Sequence, residues 1–441
     1  MKMPAIVSVL FILSACAATT PVLQQTGLAQ PGEQVETELL ILQTKTPPLP
    51  TATKTEPPEI TQPVPSLAQT PLPPARGVPQ RKTYAFDADK IQKYCVEFPQ
   101  ERIYYPFYAN DKFYFQGNVQ GALYSYSPVD QTLNVFAEPD FDPGFIFGMF
   151  SYEYPWFIYA EIDNPGGTGA WKLHAINLQE DVNTVIADSS TYHSIPLHTY
   201  TALKEGKVYL STTTFASLES YRSQIHSIDL ATGEVRLVLE DSDKETFYSF
   251  VEVSNDLMVI ENDPPTRAGL PKLHLTLYNL NKRTWQTLPQ KIPASCPSIE
   301  YPYVAWKNNY RFDKSDSITI YNLEDNSSHW IKLIGNSPQD PYLSGPYVLW
   351  EVSLGQGGSK NSVIIYAIEQ NTYYAVQNSM NKTAVTDSNI MDDSLVWSFY
   401  SNASAFDYSS WVCRMPLDEI LSKATEGIDF EEFEPKMSEF E

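Results

Sequence analysis

Six histidines are the side chains in this chain best suited to ligate a metal and to shuttle a proton near neutral pH. His174 and His226 fall at the same place in a repeated strand motif, and His274 lies two residues before the equivalent Thr276, on the same strand face. A common face would favour a metal or acid-base cluster. The same slot, however, holds Thr276, Thr319 and Ile364 in other copies, and equivalent positions of successive repeats stand apart, so these histidines read as a polar strand face. His193, His198 and His329 show no ligand spacing, and no Cys-x-x-Cys pair is present for zinc. No metal and no cofactor is therefore expected. Among carboxylates, Asp140 and Asp142 sit in a Pro-Asp-Phe-Asp-Pro-Gly turn and read as turn formers, not as a paired acid and base. Asp163, Asn164 and Thr168 offer calcium-friendly oxygens, in a loop whose Pro and Gly content reads as a plain hairpin connection. The run Gly355-Gln356-Gly357-Gly358 precedes a strand and is no phosphate cradle, and no Gly-x-Ser-x-Gly elbow occurs.

One thiol stands apart from these side chains. Cys16 follows Leu13-Ser14-Ala15, behind Lys2 and a mostly apolar run over residues 4–13 that is too short for a bilayer core of about 30 Å. These four residues resemble the lipobox of bacterial lipoproteins. The resemblance implies a signal peptide over residues 1–15, removed after a diacylglycerol thioether, with its palmitate-type acyl chains, forms on Cys16. It also implies an extracytoplasmic protein held by its N-terminal lipid to the cell membrane or the outer membrane.

Residues 17–81 are rich in Thr, Pro and Gln and hold 13 of the chain's 34 prolines. Such a segment buries too little apolar surface to offset its ordering entropy, and proline biases it to extended conformations. Residues 16–82 are therefore expected to be a lipidated cysteine followed by a disordered tether with a span of roughly 45 Å. The formal charge of −23 repels nucleic acid and anionic lipid alike, so no nucleic-acid partner is expected and any membrane link falls to the lipid. Residues 418–441 carry nine acidic and two basic side chains and read as an acidic tail after a short helix near residues 417–424.

Between these ends the sequence repeats. Apolar triplets recur at Phe113-Tyr114-Phe115, Phe157-Ile158-Tyr159, Val208-Tyr209-Leu210, Met258-Val259-Ile260, Val304-Ala305-Trp306, Val348-Leu349-Trp350 and Leu395-Val396-Trp397, spaced 44 to 51 residues apart. A second strand follows most of them, as in Leu275-Thr276-Leu277-Tyr278-Asn279-Leu280 and Ile318-Thr319-Ile320-Tyr321-Asn322-Leu323, then a polar turn and a third apolar strand. Short alternating strands joined by tight turns at this period predict an all-β fold, a seven-bladed β-propeller of antiparallel four-stranded blades over residues 83–417. The hydrophobic-x-Trp then Tyr-Asn-Leu pattern, clearest over residues 303–368, resembles the TolB-like and WD40-like (PD40) propeller repeats of bacterial envelope proteins, although the Ser-Pro-Asp-Gly turn of the TolB-type repeat is missing here.

The seventh unit lacks an outer strand on its C-terminal side, and residues 83–98 could supply it. Were they to pair beside residues 412–415, Cys95 and Cys413 would lie on neighbouring strands and could form the one internal disulfide, if register allowed. Trp306, Trp350 and Trp397, with Phe115 and Tyr159 at the same position, read as inter-blade core, with a sugar-stacking platform as the functional alternative. The expected function is a non-enzymatic, lipid-anchored scaffold presenting channel-mouth loops to an envelope protein or peptide. Two alternatives stand beside it: a glycan or small-solute binder, and a hydrolase or lyase whose carboxylates converge at the channel. The ligand-binding residues are not legible in the sequence.

Overall fold

A computed structural model describes residues 78–426, apart from residue 100 and short internal stretches at 118–120, 143, 165–168, 195–198, 218–219, 242–246, 264–272, 291–292, 312–313, 334–339, 355–359, 379–382 and 405–406. Residues 1–77, with the expected signal peptide, Cys16 and the expected tether, and residues 427–441 lie outside the described residues, as do Thr168, His198 and Gly355 to Gly358.

The seven triplets explain the architecture. Successive side chains of a strand point to opposite faces, so three apolar residues in a row bury both faces of one small sheet. The first and third residues of each triplet pack on the preceding blade and the middle one on the following blade. Val304 and Trp306 join the core shared with Val259, Leu275 and Leu277, while Ala305 faces Val348, Trp350 and Ile364. Leu395 and Trp397 pack on Leu349 and Ile365, and Val396 turns to Phe113 and Phe115 across the ring closure. The result is an all-β propeller of seven four-stranded antiparallel blades. Blades 1 to 6 span residues 103–137, 145–188, 199–241, 247–287, 294–332 and 342–378, and blade 7 spans 383–416.

Tight hairpins set the register inside blades. Asn110-Asp111, Glu205-Gly206 and Asp392-Asp393 all hold positive φ at both residues, the geometry that matches a two-residue turn to the twist of its strands. These turns join the first, innermost strand of a blade to the second, which carries the triplet.

Closure uses both chain ends. The strand Cys95–Pro99 pairs antiparallel with Asp407–Pro416 and becomes the fourth strand of blade 7. The strand Gln80–Phe86 does not join it. It pairs parallel with Thr372–Asn378 of blade 6, and Thr425–Glu426 pairs with it in turn, so these two strands extend the four antiparallel strands of blade 6 into a six-stranded sheet. The stretch expected to complete one blade therefore divides between two, with the helix Ala88–Tyr94 as the bridge. Cys95 lies directly opposite Cys413, with the two sulfurs 2.04 Å apart. A second helix, Leu417–Lys423, buries Leu417 and Ile420 in the core of blades 6 and 7. No helix among the described residues is long and apolar enough to cross a membrane.

Candidate functional site

The residue that follows each triplet sits where the second strand runs past the innermost strand of the next blade. In six blades it is polar and reaches across the seam. Gln116 Nε2 donates to the Ile146 carbonyl (3.0 Å), Ser211 Oγ to the Tyr248 carbonyl (2.6 Å), and Ser398 Oγ to the Ile103 carbonyl (3.4 Å). Glu261 Oε2 accepts the Cys296 N–H (2.7 Å), Lys307 Nζ meets Asp340 Oδ1 (3.1 Å), and Glu351 accepts from the Ser388 hydroxyl. Only blade 2 has an apolar residue, Ala160, in this slot. The innermost strands add a second tier. Asp387 Oδ2 accepts the Tyr105 N–H (2.9 Å), Glu252 Oε2 accepts the Ile299 N–H (3.0 Å), and Ser298 Oγ accepts the Leu343 N–H (3.0 Å). These bonds satisfy backbone groups that bulges in the innermost strands leave without ladder partners, as at Tyr105 and Cys296, both with positive φ.

Three of these latching groups are carboxyls in an unusual state. Glu252, Glu351 and Asp387 line the inner ring in blades 4, 6 and 7, half-buried but hemmed in by protein. Burial pushes Glu252 and Glu351 up to about 7, against the pull of their hydrogen-bond donors, Ile299 N–H and Ser298 for Glu252 and Ser388 for Glu351. Burial raises Asp387 well above the usual carboxylate range, and the neighbouring charge of Glu351 pushes the same way. Tyr342, on the first strand of blade 6, lies near Glu252 and Glu300, and Tyr105 lies near Asp387; loss of water around each hydroxyl raises both phenols, although part of Tyr342 stays exposed. Carboxyls that differ in proton affinity and stand beside tyrosines in a concave space can act as an acid and a base.

A second cluster occupies the seam of blades 1 and 2. One donor atom each from Asp140, Glu161 and His174 lies within 4.8 Å of the others, and Lys172 Nζ sits 2.8 Å from Asp140 Oδ2. The histidines aligned by the repeat are spread over separate blades: His174 on Trp171–Asn177 of blade 2, His226 on Ser220–Asp229 of blade 3, and His274 on His274–Asn279 of blade 4. Asp140, read as a turn former, forms an ion pair with Lys172; Asp163 Oδ1 accepts from Nδ2 of the adjacent Asn164 (3.2 Å). Trp306, Trp350 and Trp397 are at most 2% exposed, which leaves no sugar-stacking platform at that position.

The sequence reading missed Glu252, Glu351, Asp387, Glu161 and Lys172. A local signal existed for one of them: Trp350-Glu351, like Ile260-Glu261, places an ionisable residue where an apolar strand continues into the protein.

Fold and seams define a closed seven-bladed β-propeller. No family model matches the chain, and no curated protein matches it. Among solved structures it is similar to a prolyl endopeptidase, with a TM-score of 0.50 and 11% identity over 73% of this chain and 51% of that one. It is also similar to the β-propeller domain of the Trilobed protease from Pyrococcus furiosus, with a TM-score of 0.51 and 9% identity over 73% of this chain and 97% of that one. An oligogalacturonate lyase from Vibrio parahaemolyticus matches with a TM-score of 0.46 and 11% identity over 72% and 91% of the two chains. The chain spans about half the length of the endopeptidase. An open velcro topology is described for the Trilobed protease domain, whereas here Cys95–Pro99 completes blade 7. The endopeptidase and Trilobed protease likenesses show the fold. They also correct the expectation of a non-enzymatic binding scaffold, because propellers of this architecture occur in enzymes. The propeller fold alone establishes neither an enzyme nor a non-enzyme.

Proposed function

We propose that this chain is an extracytoplasmic lipoprotein with PD40-type repeats, anchored to the membrane through Cys16, whose propeller channel is an acid-base site of hydrolase type for a neutral glycan. The anchor rests on Leu13-Ser14-Ala15-Cys16 and on the proline-rich spacing of residues 17–81, which suits a flexible stalk. The catalytic reading rests on one observation: Glu351 and Asp387 are neighbouring inner-ring carboxyls, both raised, and Asp387 by more than the usual carboxylate range allows. Asp387 keeps its proton and serves as the acid that protonates a leaving oxygen. Glu351 ionises near neutrality and takes the proton of an attacking water. Tyr104 and Tyr105 beside Asp387, and Tyr342 beside Glu252, supply rings and hydroxyls suited to a sugar, and the excess of acidic groups disfavours an anionic polymer.

The test is reducing-end release from a panel of neutral and acidic polysaccharides by the full mature chain. We expect turnover on neutral polymers that rises as pH passes about 7, and a loss of about 100-fold in kcat for Glu351→Gln and for Asp387→Asn. Because both residues also latch blades, circular dichroism of each variant accompanies the assay. Absence of release from every polymer, or full rates in both folded variants, would reject the reading.

A further inference from the structure

We propose that Asp140, Glu161 and His174 form a binding site for a divalent transition-metal ion at the seam of blades 1 and 2, independent of the channel carboxyls. The three come from different parts of the fold. Asp140 lies in the connection that leaves blade 1, Glu161 on the second strand of blade 2 and His174 on its third, where it pairs with Tyr159. Glu161 is 0% and His174 2% exposed.

The histidine carries the argument. Its ring stacks on Tyr159, and its Nδ1 lies 3.2 Å from Asn183 Oδ1. Asn183 Nδ2 donates to the Tyr159 hydroxyl (2.9 Å), which turns the amide oxygen toward the imidazole. Nδ1 therefore bears a proton, and in the neutral imidazole Nε2 presents its lone pair. That Nε2 atom is buried, has no hydrogen-bond partner, and points at Glu161 Oε2 from 3.6 Å. The same carboxylate oxygen already accepts the Asp140 N–H (2.7 Å). A lone pair and a carboxylate oxygen facing one another out of contact with water repel unless an electrophile lies between them. Metal-bound histidines show this outer arrangement, with the far ring nitrogen donating to an oxygen that fixes tautomer and orientation.

Two carboxylates and an imidazole suit Zn²⁺ or Mn²⁺, and the set contains no sulfur to favour a softer ion. Bonds of about 2.0–2.2 Å need the donors drawn together by an ångström or so. Asp140 can provide that movement, since its side chain is half exposed and its connection is outside the sheets. Lys172 is the built-in competitor. Its ammonium lies 2.8 Å from Asp140 and 3.5 Å from Glu161, over the Phe141 ring, with 28% of the side chain exposed and a path to solvent. Metal entry displaces the ammonium from the carboxylates while the side chain stays protonated.

Calorimetric titration of the chelator-stripped full chain with Zn²⁺, and separately with Mn²⁺, tests the site. We expect one ion per chain, binding weakened about 10- to 100-fold in Asp140→Asn and abolished in His174→Asn, and tightened in Lys172→Met. Asp140→Asn and Lys172→Met change partly exposed side chains, so they keep the test separate from folding. Absence of saturable binding, or binding equal in the wild type, Asp140→Asn and Lys172→Met, overturns the proposal and leaves a protonated His174 paired with Glu161.

Discussion

The inner ring and the terminal clamp both rest on carboxyls with hydrogen-bond donors, yet the two sets hold protons in opposite senses. Glu252, Glu351 and Asp387 each bond the next blade and are raised, two of them up to about 7. Glu419, on the helix Leu417–Lys423, accepts from the Tyr94 hydroxyl and from Tyr84 Oη (3.2 Å), pairs with Lys423 (3.0 Å), and is lowered to about 2. Surroundings decide the sign. The ring groups meet one or two neutral donors and lose most of their water, so desolvation of the charge wins. Glu419 gathers three donors, one of them an ammonium, at an edge that stays open to solvent, so hydrogen bonding wins.

The largest expected effect separates the clamp from the ring covalently. Cys95 and Cys413 are 318 residues apart in sequence, so their bond closes nearly the whole propeller into one loop. Cys413→Ser should cost about 2–5 kcal/mol, because the cross-link restricts the unfolded chain. Urea unfolding of wild type and variant without reductant measures this directly, and equal midpoints for the two would mean that the bond does not contribute. The ring carboxyls should keep their raised proton affinity in this variant, since their donors come from blades 1, 5 and 7 and not from the clamp strands.

The next effect lies in the ring and follows from linkage. A carboxyl raised from 4.5 to about 7 favours folding fully below 4.5, and that contribution is lost as pH rises through 7. Glu252→Gln and Glu351→Gln keep an acceptor for the next blade and remove the charge. Each should therefore stabilise the protein at pH 8, by about 1–3 kcal/mol given that the groups keep some accessible surface, and leave it unchanged near pH 4.5. Thermal midpoints at the two pH values provide the comparison; a gain of equal size at both would mean that ionisation is not its source.

The same contrast shows what the sequence makes legible. Blade count follows from local alternation: each triplet reports burial on both faces of its own strand, so seven triplets imply seven blades, and the burial of Trp306, Trp350 and Trp397 agrees. Closure is harder because pairing partners lie hundreds of residues away. Nothing within Gln80–Phe86 specifies a parallel partner in blade 6, and Cys95–Pro99 is short enough to join any free edge. The latch residues were hidden for a related reason. Glu351 stands beside Trp350 in the sequence, but its donor, Ser388, belongs to the next blade. His174 likewise reads as one more polar strand residue until Asp140, 34 positions earlier, folds onto Glu161.

The smallest effect belongs to the clamp and carries the opposite sign. Glu419 is lowered from 4.5 to about 2, so it favours folding above 4.5, and that contribution fades as pH falls through about 2. Its side chain is 17% exposed and its Lys423 partner 64%, so solvent screens the pair and the expected loss for Glu419→Gln at pH 7 is at most about 1 kcal/mol. The difference between wild type and variant should vanish near pH 2, where the ring variants also match wild type. A pH 7 loss that persists unchanged at pH 2 would assign the clamp to packing of Ile420 and Leu417 on Trp397 and Phe86, with the carboxylate a bystander. A loss confined to the higher pH would make Glu419 the ionised counterpart of the protonated ring, so that acidification to near pH 2 releases the terminal helices while it leaves the ring carboxyls in their stabilising form.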